Sequence, residues 1–266
     1  MKLGFIGGGN MAFAIAGGVL ASSLCSEKEI FVSDPNPEAL KKFKKLGISV
    51  KDNNRGALQG DFIILAVKPF ILPFVLTELK EKYASEIKDK VFITIAAGVE
   101  IAVIKETLGF DAKVIRVMPN TPAMALCGMS VIATEHTPAS DEEFAKVLEI
   151  FNAIGETELL PESLLNSVIA VTSSSPAYVF MMLEAMADAA VRDGIARNAA
   201  YRLAAQSVMG AAKLMLETGK HPGELKDMVC SPRGTTIEAV KRLEEFGFRS
   251  AIMSAMQACT EKAESM

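Results

Sequence analysis

The spacing of hydrophobic positions changes near residue 160. Before that point, short apolar runs at 2–6, 29–33, 62–66, 91–95, 114–118 and 130–133 alternate with helical patterns such as 37–46 and 70–83. Strands that alternate with helices are typical of a parallel sheet covered by helices on both faces. A helix over 141–154 and a short strand over 157–160 complete this predicted α/β region.

From Pro161 onwards the spacing is helical throughout. Apolar residues recur at helical intervals over 163–175, 177–192, 198–216 and 247–262, and Met and Ala dominate among them. So many apolar faces exceed what a small helical domain can hide from water. We therefore predict that the surplus is buried against a second subunit.

Composition and charge exclude several classes of protein. The chain has 266 residues, with 28 basic and 32 acidic side chains spread along it, and a net charge of -4. The sequence has no basic block of the kind that indicates a nucleic-acid partner. The four Cys lie far apart and only two His are present, so no metal site is expected and the thiols are predicted to be reduced.

Two apolar stretches resemble a signal peptide and a membrane-spanning helix. The N-terminal run is cut by Gly7-Gly8-Gly9-Asn10, unlike the unbroken helix of a signal peptide. The uncharged stretch 163–183 contains Asn166, Pro176 and a run of hydroxyl residues, which favours a broken buried helix over a span. The sequence therefore predicts a soluble, cytoplasmic protein without a membrane partner.

A glycine-rich turn joins the first predicted strand to the first helix. It has the pattern Gly-x-Gly-x-x-Ala, with Gly7, Gly9 and Ala12 at the small positions. Gly7 makes the tight turn, Gly9 lets a pyrophosphate approach the backbone, and Ala12 lets the helix pack on the strand. The start of the helix supplies N–H groups to the phosphates. This pattern predicts a Rossmann dinucleotide-binding domain over residues 1–160, followed by an all-helical domain over 161–266.

Asp34 ends the second predicted strand and has two interpretations. A carboxylate at this position hydrogen-bonds the ribose 2′-hydroxyl of NAD and repels the 2′-phosphate of NADP. Alternatively it caps the following helix, a role that Asn36 could also fill.

Later strand ends supply further candidates, because ligands of such sheets bind at the carboxyl ends of strands. One loop is Ala66-Val67-Lys68-Pro69, in which Lys68 reaches a phosphate or is simply solvated. The next is Ile95-Ala96-Ala97-Gly98, and the third is Met118-Pro119-Asn120-Thr121-Pro122, placed where the nicotinamide should lie.

Residues for acid–base catalysis are few. His136 falls in a polar surface stretch and His221 precedes a predicted helix, so neither lies at a strand end. Hydride transfer needs no nucleophile, since the cofactor supplies the chemistry. The other concentrated polar segment is 231–236, before a predicted helix over 237–246. It is either a site for a small carboxylate or an ordinary Ser/Thr cap.

Taken together, these motifs resemble the pyrroline-5-carboxylate reductase family over essentially the full length. The motifs that carry the resemblance are Gly-Phe-Ile-Gly-x-Gly-Asn-Met-Ala at 4–12, Ala-Val-Lys-Pro at 66–69, Ala-Ala-Gly-Val at 96–99, Arg-Val-Met-Pro-Asn-Thr-Pro at 116–122, Ser-Pro-Ala-Tyr at 175–178, His-Pro-Gly-Glu-Leu-Lys-Asp-Met-Val at 221–229, Ser-Pro-x-Gly-Thr-Thr-Ile at 231–237 and Gly-Phe-Arg at 247–249.

The resemblance implies reduction of 1-pyrroline-5-carboxylate to L-proline with NADPH or NADH, the last step of proline biosynthesis. It implies that Thr236 hydrogen-bonds the imine nitrogen and is the catalytic residue. The implied substrate-binding residues are Ser231, Gly234, Thr235, Thr236 and Glu162. The cofactor-binding residues predicted from the motifs and the resemblance together are Ile6, Gly7, Gly8, Gly9, Asn10, Met11, Asp34, Asn54, Ala66, Val67, Lys68, Pro69, Ala96, Ala97, Gly98, Met118, Pro119 and Asn120.

The resemblance also implies a homodimer with interlocked C-terminal helices, which often assembles further into a decamer. In such a dimer the active site combines one subunit's cofactor domain with its partner's 231–236 loop.

The chain departs from the family pattern at a few positions. Ser173, Ser175 and Arg233 stand where Gly is usual, and Asp34 stands where a small or basic residue is common. A serine at a position that needs unusual backbone angles would narrow the cleft.

Two other functions remain as alternatives. A β-hydroxyacid dehydrogenase would carry a catalytic Lys early in the helical domain, but residues 161–192 contain none. A cofactor-binding module without catalysis would not need the 231–236 loop.

Overall fold

The computed structural model describes residues 1–136 and 138–265. Eight strands form one sheet: β1 Leu3–Ile6, β2 Ile30–Ser33, β3 Ser49–Lys51, β4 Phe62–Leu65, β5 Val91–Thr94, β6 Lys113–Met118, β7 Gly128–Ala133 and β8 Gly155–Leu160. The helices are α1 Asn10–Ala21, α2 Pro37–Lys44, α3 Leu72–Ile87, α4 Ile101–Leu108, α5 Asp141–Asn152, α6 Leu165–Val168, α7 Ser175–Arg192, α8 Arg197–Thr218, α9 Pro222–Val229, α10 Thr235–Glu245 and α11 Phe248–Glu264. A π turn, Ile169–Ser173, separates α6 from α7.

The strand order is β3-β2-β1-β4-β5-β6-β7-β8. The first six strands are parallel, as predicted, and the order reverses between β1 and β4. That reversal opens a crevice at the carboxyl ends of the strands, where dinucleotides bind in such sheets. The Rossmann architecture of the first region is therefore confirmed.

The prediction of a wholly parallel sheet is wrong at β7, which runs antiparallel to β6. The chain between them, 119–127, contains a 3-10 turn, Thr121–Ala125, and no crossover helix. A parallel neighbour needs a crossover of a dozen or more residues, whereas a short connection returns the chain antiparallel. Helix α5 then provides a crossover, so that β8 pairs parallel to β7.

Alternate residues of the central strands enter two cores on opposite faces of the sheet. In β4, Phe62 and Ile64 belong to one core, while Ile63 and Leu65 belong to the other. Strands buried on both faces read as continuous apolar runs, which is why the sequence revealed them clearly. Helices α1, α2 and α5 contribute to the first core, and α3, α4 and α6 to the second.

Two compact units make up the chain. One comprises residues 1–174 together with 259–266, and the other comprises 175–258. Residues 161–174, which the sequence analysis places in the helical domain, pack with the first unit because Leu165 and Val168 are buried in its second core. The second unit is built from α7 to α10 and most of α11.

The second unit carries a large exposed apolar surface. Its exposed large side chains include Phe180, Met181, Leu203, Met209, Leu216, Met228, Phe246 and Met253. Monomeric proteins rarely expose apolar patches of this extent, so the surface indicates burial in an assembly.

One helical segment of the described residues, Glu162–Arg192, is long and apolar enough by length and composition to cross a membrane. The segment is interrupted by the π turn and spans the end of one compact unit and the start of the other. The core helix of a soluble protein can meet the same criteria of length and composition.

Candidate cofactor cleft and carboxylate loop

A cleft of about 780 Å³ lies at the carboxyl ends of β1, β2, β4, β5 and β6. Twelve of the predicted cofactor residues line it: Gly7, Gly9, Asn10, Met11, Asp34, Ala66, Val67, Lys68, Pro69, Ala96, Ala97 and Pro119. Pro35, Ile71 and Ile95 also line the cleft. Ile95 was named in its strand-end loop but not among the cofactor residues, and Pro35 and Ile71 were missed. Both missed residues lie within two residues of a predicted one, so slightly longer strand-end loops would have included them.

The glycine-rich turn fits a dinucleotide. Gly7 has φ +104°, and a Cβ atom there would lie 2.6 Å from the carbonyl oxygen of Ala66. A Cβ atom on Gly9 would instead meet open space in the cleft. Gly9 is also the N-cap of α1 and provides no side-chain cap. The first N–H groups of α1 therefore remain available to a pyrophosphate.

Asp34 binds the glycine-rich turn directly. Its Oδ2 accepts a hydrogen bond from the Gly8 N–H at 2.7 Å, and its Oδ1 accepts one from the Asn36 N–H at 2.8 Å. The cap of α2 is Asn36, whose Oδ1 accepts the Glu38 N–H. Asp34 thus links the ends of β1 and β2 and exposes its carboxylate to the cleft, where a ribose would lie.

Six of the predicted cofactor residues do not line this cleft. Ile6, Gly8 and Met118 are buried beneath it. Gly98 makes the turn after Ala97 with φ +73°.

Asn54 and Asn120 have both ends of their amides engaged by protein groups. Asn54 accepts a hydrogen bond from the Ser33 hydroxyl and donates to Glu78. Asn120 donates to the carbonyl oxygen of Thr172 in the π turn and accepts the Met129 N–H. These hydrogen bonds make both side chains positioning residues that tie together the segments near the cleft.

Glu162 belongs to a buried polar network. Its Oε1 accepts the Ile101 N–H at the start of α4 at 2.8 Å and forms an ion pair with Arg116 at 3.2 Å. Arg116, on β6, is 1 % exposed and donates a second hydrogen bond, of 2.7 Å, to Asn166. The network joins β6, α4 and α6 beside the 96–98 loop.

The 231–236 loop makes a tight turn before α10. The Gly234 N–H donates to the Ser231 carbonyl oxygen at 3.0 Å. A Cβ atom on Gly234 would lie 2.3 Å from the Ser231 hydroxyl oxygen and 3.0 Å from the Ser231 carbonyl oxygen, so any larger residue would displace the Ser231 side chain. Gly234 caps α10 without a side-chain hydrogen bond, which leaves the first N–H groups of α10 available to an anion. Thr235 and Thr236 occupy the first two positions of α10.

Arg233 has φ +59°, in the left-handed region that favours glycine. This backbone angle explains why glycine suits the position better. Ser173 and Ser175 differ, because they end the π turn and begin α7 in helical conformations. Serine is therefore unstrained at both positions.

The two histidines have structural contacts. His136 stacks on Phe144 and contacts Asp141, and His221 caps α9 by accepting the Gly223 N–H. Across residues 1–136 and 138–265, no group of three or more His, Cys, Asp or Glu is placed to hold a metal. All four cysteines are free.

Comparison with known proteins agrees with both the cofactor cleft and the helical region. A family model described as NADP oxidoreductase, coenzyme F420-dependent, matches residues 2–98. A second model, described as pyrroline-5-carboxylate reductase dimerisation, matches residues 162–266. Its first residue lies next to the boundary predicted at Pro161, although the packing units divide later.

Relatives that match over their full length are named pyrroline-5-carboxylate reductase. The chain is 48 % identical over 267 residues to the pyrroline-5-carboxylate reductase of Escherichia coli, covering 100 % of this chain and 98 % of the relative. It is 43 % identical to that of Methanosarcina acetivorans, covering 100 % and 97 %. The crystal structure of Plasmodium falciparum pyrroline carboxylate reductase with NADP bound matches with a TM-score of 0.89 and 28 % identity, covering 100 % of this chain and 97 % of that one. The chain belongs to the pyrroline-5-carboxylate reductase family.

Proposed function

We propose that this protein reduces 1-pyrroline-5-carboxylate to L-proline with NADPH or NADH, the last step of proline biosynthesis. Its full-length similarity to named reductases supports this activity. The observation that carries the proposal is the presence in one chain of a dinucleotide cleft and an uncapped helix start flanked by hydroxyl groups. The first suits a nicotinamide cofactor, and the second suits a small carboxylate.

The cofactor, when bound, supplies the hydride that the imine carbon accepts. We propose that the Thr236 hydroxyl hydrogen-bonds the imine nitrogen and so orients the ring. Ser231, the turn at Gly234 and the first N–H groups of α10 at Thr235 and Thr236 hold the substrate carboxylate. Such fixed donors stabilise the charged substrate without reorganising during the reaction.

Glu162 is proposed to lie near the substrate, where its ion pair with Arg116 holds the carboxylate in place. The lining of the cleft, together with Ile6, Gly8, Asn54, Gly98, Met118 and Asn120, forms the proposed cofactor site. In this assignment Asn120 is a positioning residue, since its amide already holds the π turn and β7.

The direct test is oxidation of NADPH and NADH by the purified protein with 1-pyrroline-5-carboxylate, followed by identification of L-proline as the product. A panel of 3-hydroxy acids and their keto partners serves as the control for the β-hydroxyacid dehydrogenase alternative. Turnover of that panel alone would replace the proposed reaction. Cofactor binding with no imine reduction would favour a module without catalysis.

Self-association follows from the dimerisation domain and the exposed apolar surface of the second unit. We propose a homodimer that assembles further into a decamer, and we place the protein in the cytoplasm without a membrane partner. Sedimentation velocity of dilute protein in buffer without detergent is expected to give at least a dimer. A monomer at micromolar concentration, or solubility only in detergent, would contradict this assembly.

Asp34 is expected to bias the choice of cofactor towards NADH. We expect Asp34→Ser to raise the ratio of kcat/KM for NADPH over that for NADH by about tenfold, because a repulsive carboxylate no longer faces the 2′-phosphate. Asp34→Asn is the matched variant. It also removes the charge, but it keeps the size of the side chain and one acceptor for the Gly8 N–H. If neither substitution changes the ratio, the carboxylate acts only as a support for the glycine-rich turn.

A further inference from the structure

The cleft combines features that favour opposite cofactors. Asp34 presents a carboxylate that repels a 2′-phosphate, yet the N-terminal region matches an NADP-binding family and a structural relative is described with NADP bound. A chain that accepts NADP despite Asp34 needs a cation close enough to offset the carboxylate. Lys42, on α2, meets this requirement.

Lys42 reaches from α2 to the start of α1. Its Nζ donates a 3.1 Å hydrogen bond to the Oδ1 of Asn10, the first residue of α1, which lines the cleft. The same Nζ lies 5.2 Å from the ring centroid of Phe13 and 5.6 Å from that of Phe43. Cation–π contacts at these distances hold the ammonium group beside the glycine-rich turn.

The Asp34 carboxylate also acts on the Lys42 ammonium group. Partial burial lowers the pKa of Lys42, and the nearby Asp34 carboxylate raises it, so the two charges interact. An ammonium group has three donors, and Asn10 takes one of them. Lys42 can therefore donate to a ligand oxygen while it keeps its protein contacts.

Other lysines at this end of the sheet are placed differently. Lys44 and Lys51 line a separate cleft of about 420 Å³, which Asp34 also lines, and both are exposed. Lys41 is exposed and pairs with Glu38. Lys42 combines partial burial with a hydrogen bond to a residue of the cofactor cleft.

We propose that Lys42 is a specificity-determining residue that binds the 2′-phosphate of NADPH and offsets the repulsion from Asp34. This inference rests on the proposed use of a nicotinamide cofactor and extends it to the cofactor's adenosine end. With both residues in place, the chain accepts NADPH and NADH. A doubly charged 2′-phosphate gains far more binding free energy from the Lys42 ammonium group than a neutral 2′-hydroxyl does.

The test measures binding of NADP⁺ and NAD⁺ separately by calorimetry, so that it does not depend on catalysis. Lys42→Met keeps the length of the side chain and its packing on the two phenyl rings but removes the charge. We expect it to weaken NADP⁺ binding by about tenfold and NAD⁺ binding by less than about threefold. Lys42→Arg is expected to restore most of the NADP⁺ affinity, and Lys41→Met serves as the matched control on the same helix.

A second background separates a direct contact from an indirect one. In Asp34→Ser protein, Lys42→Met should still weaken NADP⁺ selectively, because the phosphate itself has lost its partner. A loss that disappears in this background would overturn the proposed direct contact. An equal loss for both dinucleotides, or a selective loss caused by Lys44→Met or Lys51→Met instead, would overturn it as well.

The same measurements separate this inference from the proposed function. Failure of the wild-type protein to bind either dinucleotide would overturn both. Tight binding of both dinucleotides by wild type and by Lys42→Met would overturn only the role of Lys42. The proposal that the protein reduces the imine would stand.

Discussion

Replacing Arg116 with methionine is expected to lower the free energy of unfolding by about 3 kcal/mol. Arg116 is fully buried in β6, where it pairs with Glu162 and donates to Asn166. Removing the guanidinium group leaves the Glu162 carboxylate without its counter-charge in a half-buried position. The cost lies at the low end for a broken buried pair, since Glu162 retains the Ile101 N–H and some contact with water.

Urea unfolding at a fixed protein concentration measures this effect, because assembly makes the apparent stability depend on concentration. Arg116→Met combined with Glu162→Gln is the matched control. Glutamine still accepts the Ile101 N–H but carries no charge, so the double variant should recover about 1–2 kcal/mol of the loss. A single variant within about 0.5 kcal/mol of wild type would show that the pair is not needed for stability.

The network also separates two roles of Glu162. If Glu162 lies near the substrate, Glu162→Gln raises KM for the imine while cofactor affinity stays constant. If it only ties α6 to α4, stability falls and KM does not change. Because a fixed carboxylate can serve both roles, KM and stability are measured on the same variant.

Sequence reasoning succeeded where a local pattern decides the structure. The central strands were predicted to within one or two residues, because burial on both faces makes them continuous apolar runs. Strand β3, Ser49–Lys51, was missed because it is three residues long and mostly exposed. Helix α4 was not among the helices named, although Ile101, Ile104 and Leu108 follow helical spacing.

Contacts between residues far apart in the chain could not be predicted from a single sequence. The motif identified Gly8 and Asp34 separately, but only the fold brings the Gly8 N–H to the Asp34 carboxylate. The same holds for Arg116 with Glu162 and for Lys42 with Asn10. The direction of β7 was missed for a related reason. Strand direction depends on the connection between strands and not on the residues of the strand itself.

The 231–236 loop shows how far a local motif can go. Its hydroxyls and its glycine were recognised in the sequence, and the turn at Gly234 agrees with them. The left-handed angle of Arg233 could be expected only from the resemblance, because arginine itself gives no signal for it.

Thr236→Val is expected to lower kcat for imine reduction by about ten- to a hundredfold while the affinity for the cofactor stays unchanged. Valine has nearly the shape of threonine but cannot hydrogen-bond the imine nitrogen. Thr236 is the second residue of α10, and Gly234 is the cap, so the substitution removes no helix cap. The loss should therefore appear in turnover and not in folding.

Steady-state kinetics and calorimetric binding of NADP⁺ measure the two quantities separately. Thr236→Ser is the matched control: it keeps the hydroxyl and loses one methyl group, so it should retain most of the turnover. Thr235→Val tests the neighbouring hydroxyl, and there we expect a raised KM for the imine with a smaller change in kcat, because Thr235 is assigned to the carboxylate. If Thr236→Val turns over as fast as wild type, Thr236 has no part in the reaction and an ordered water must orient the nitrogen. If Thr235→Val instead carries the loss in kcat, the roles of the two threonines are exchanged. The pair of substitutions thus locates the catalytic hydroxyl to one residue of the first turn of α10.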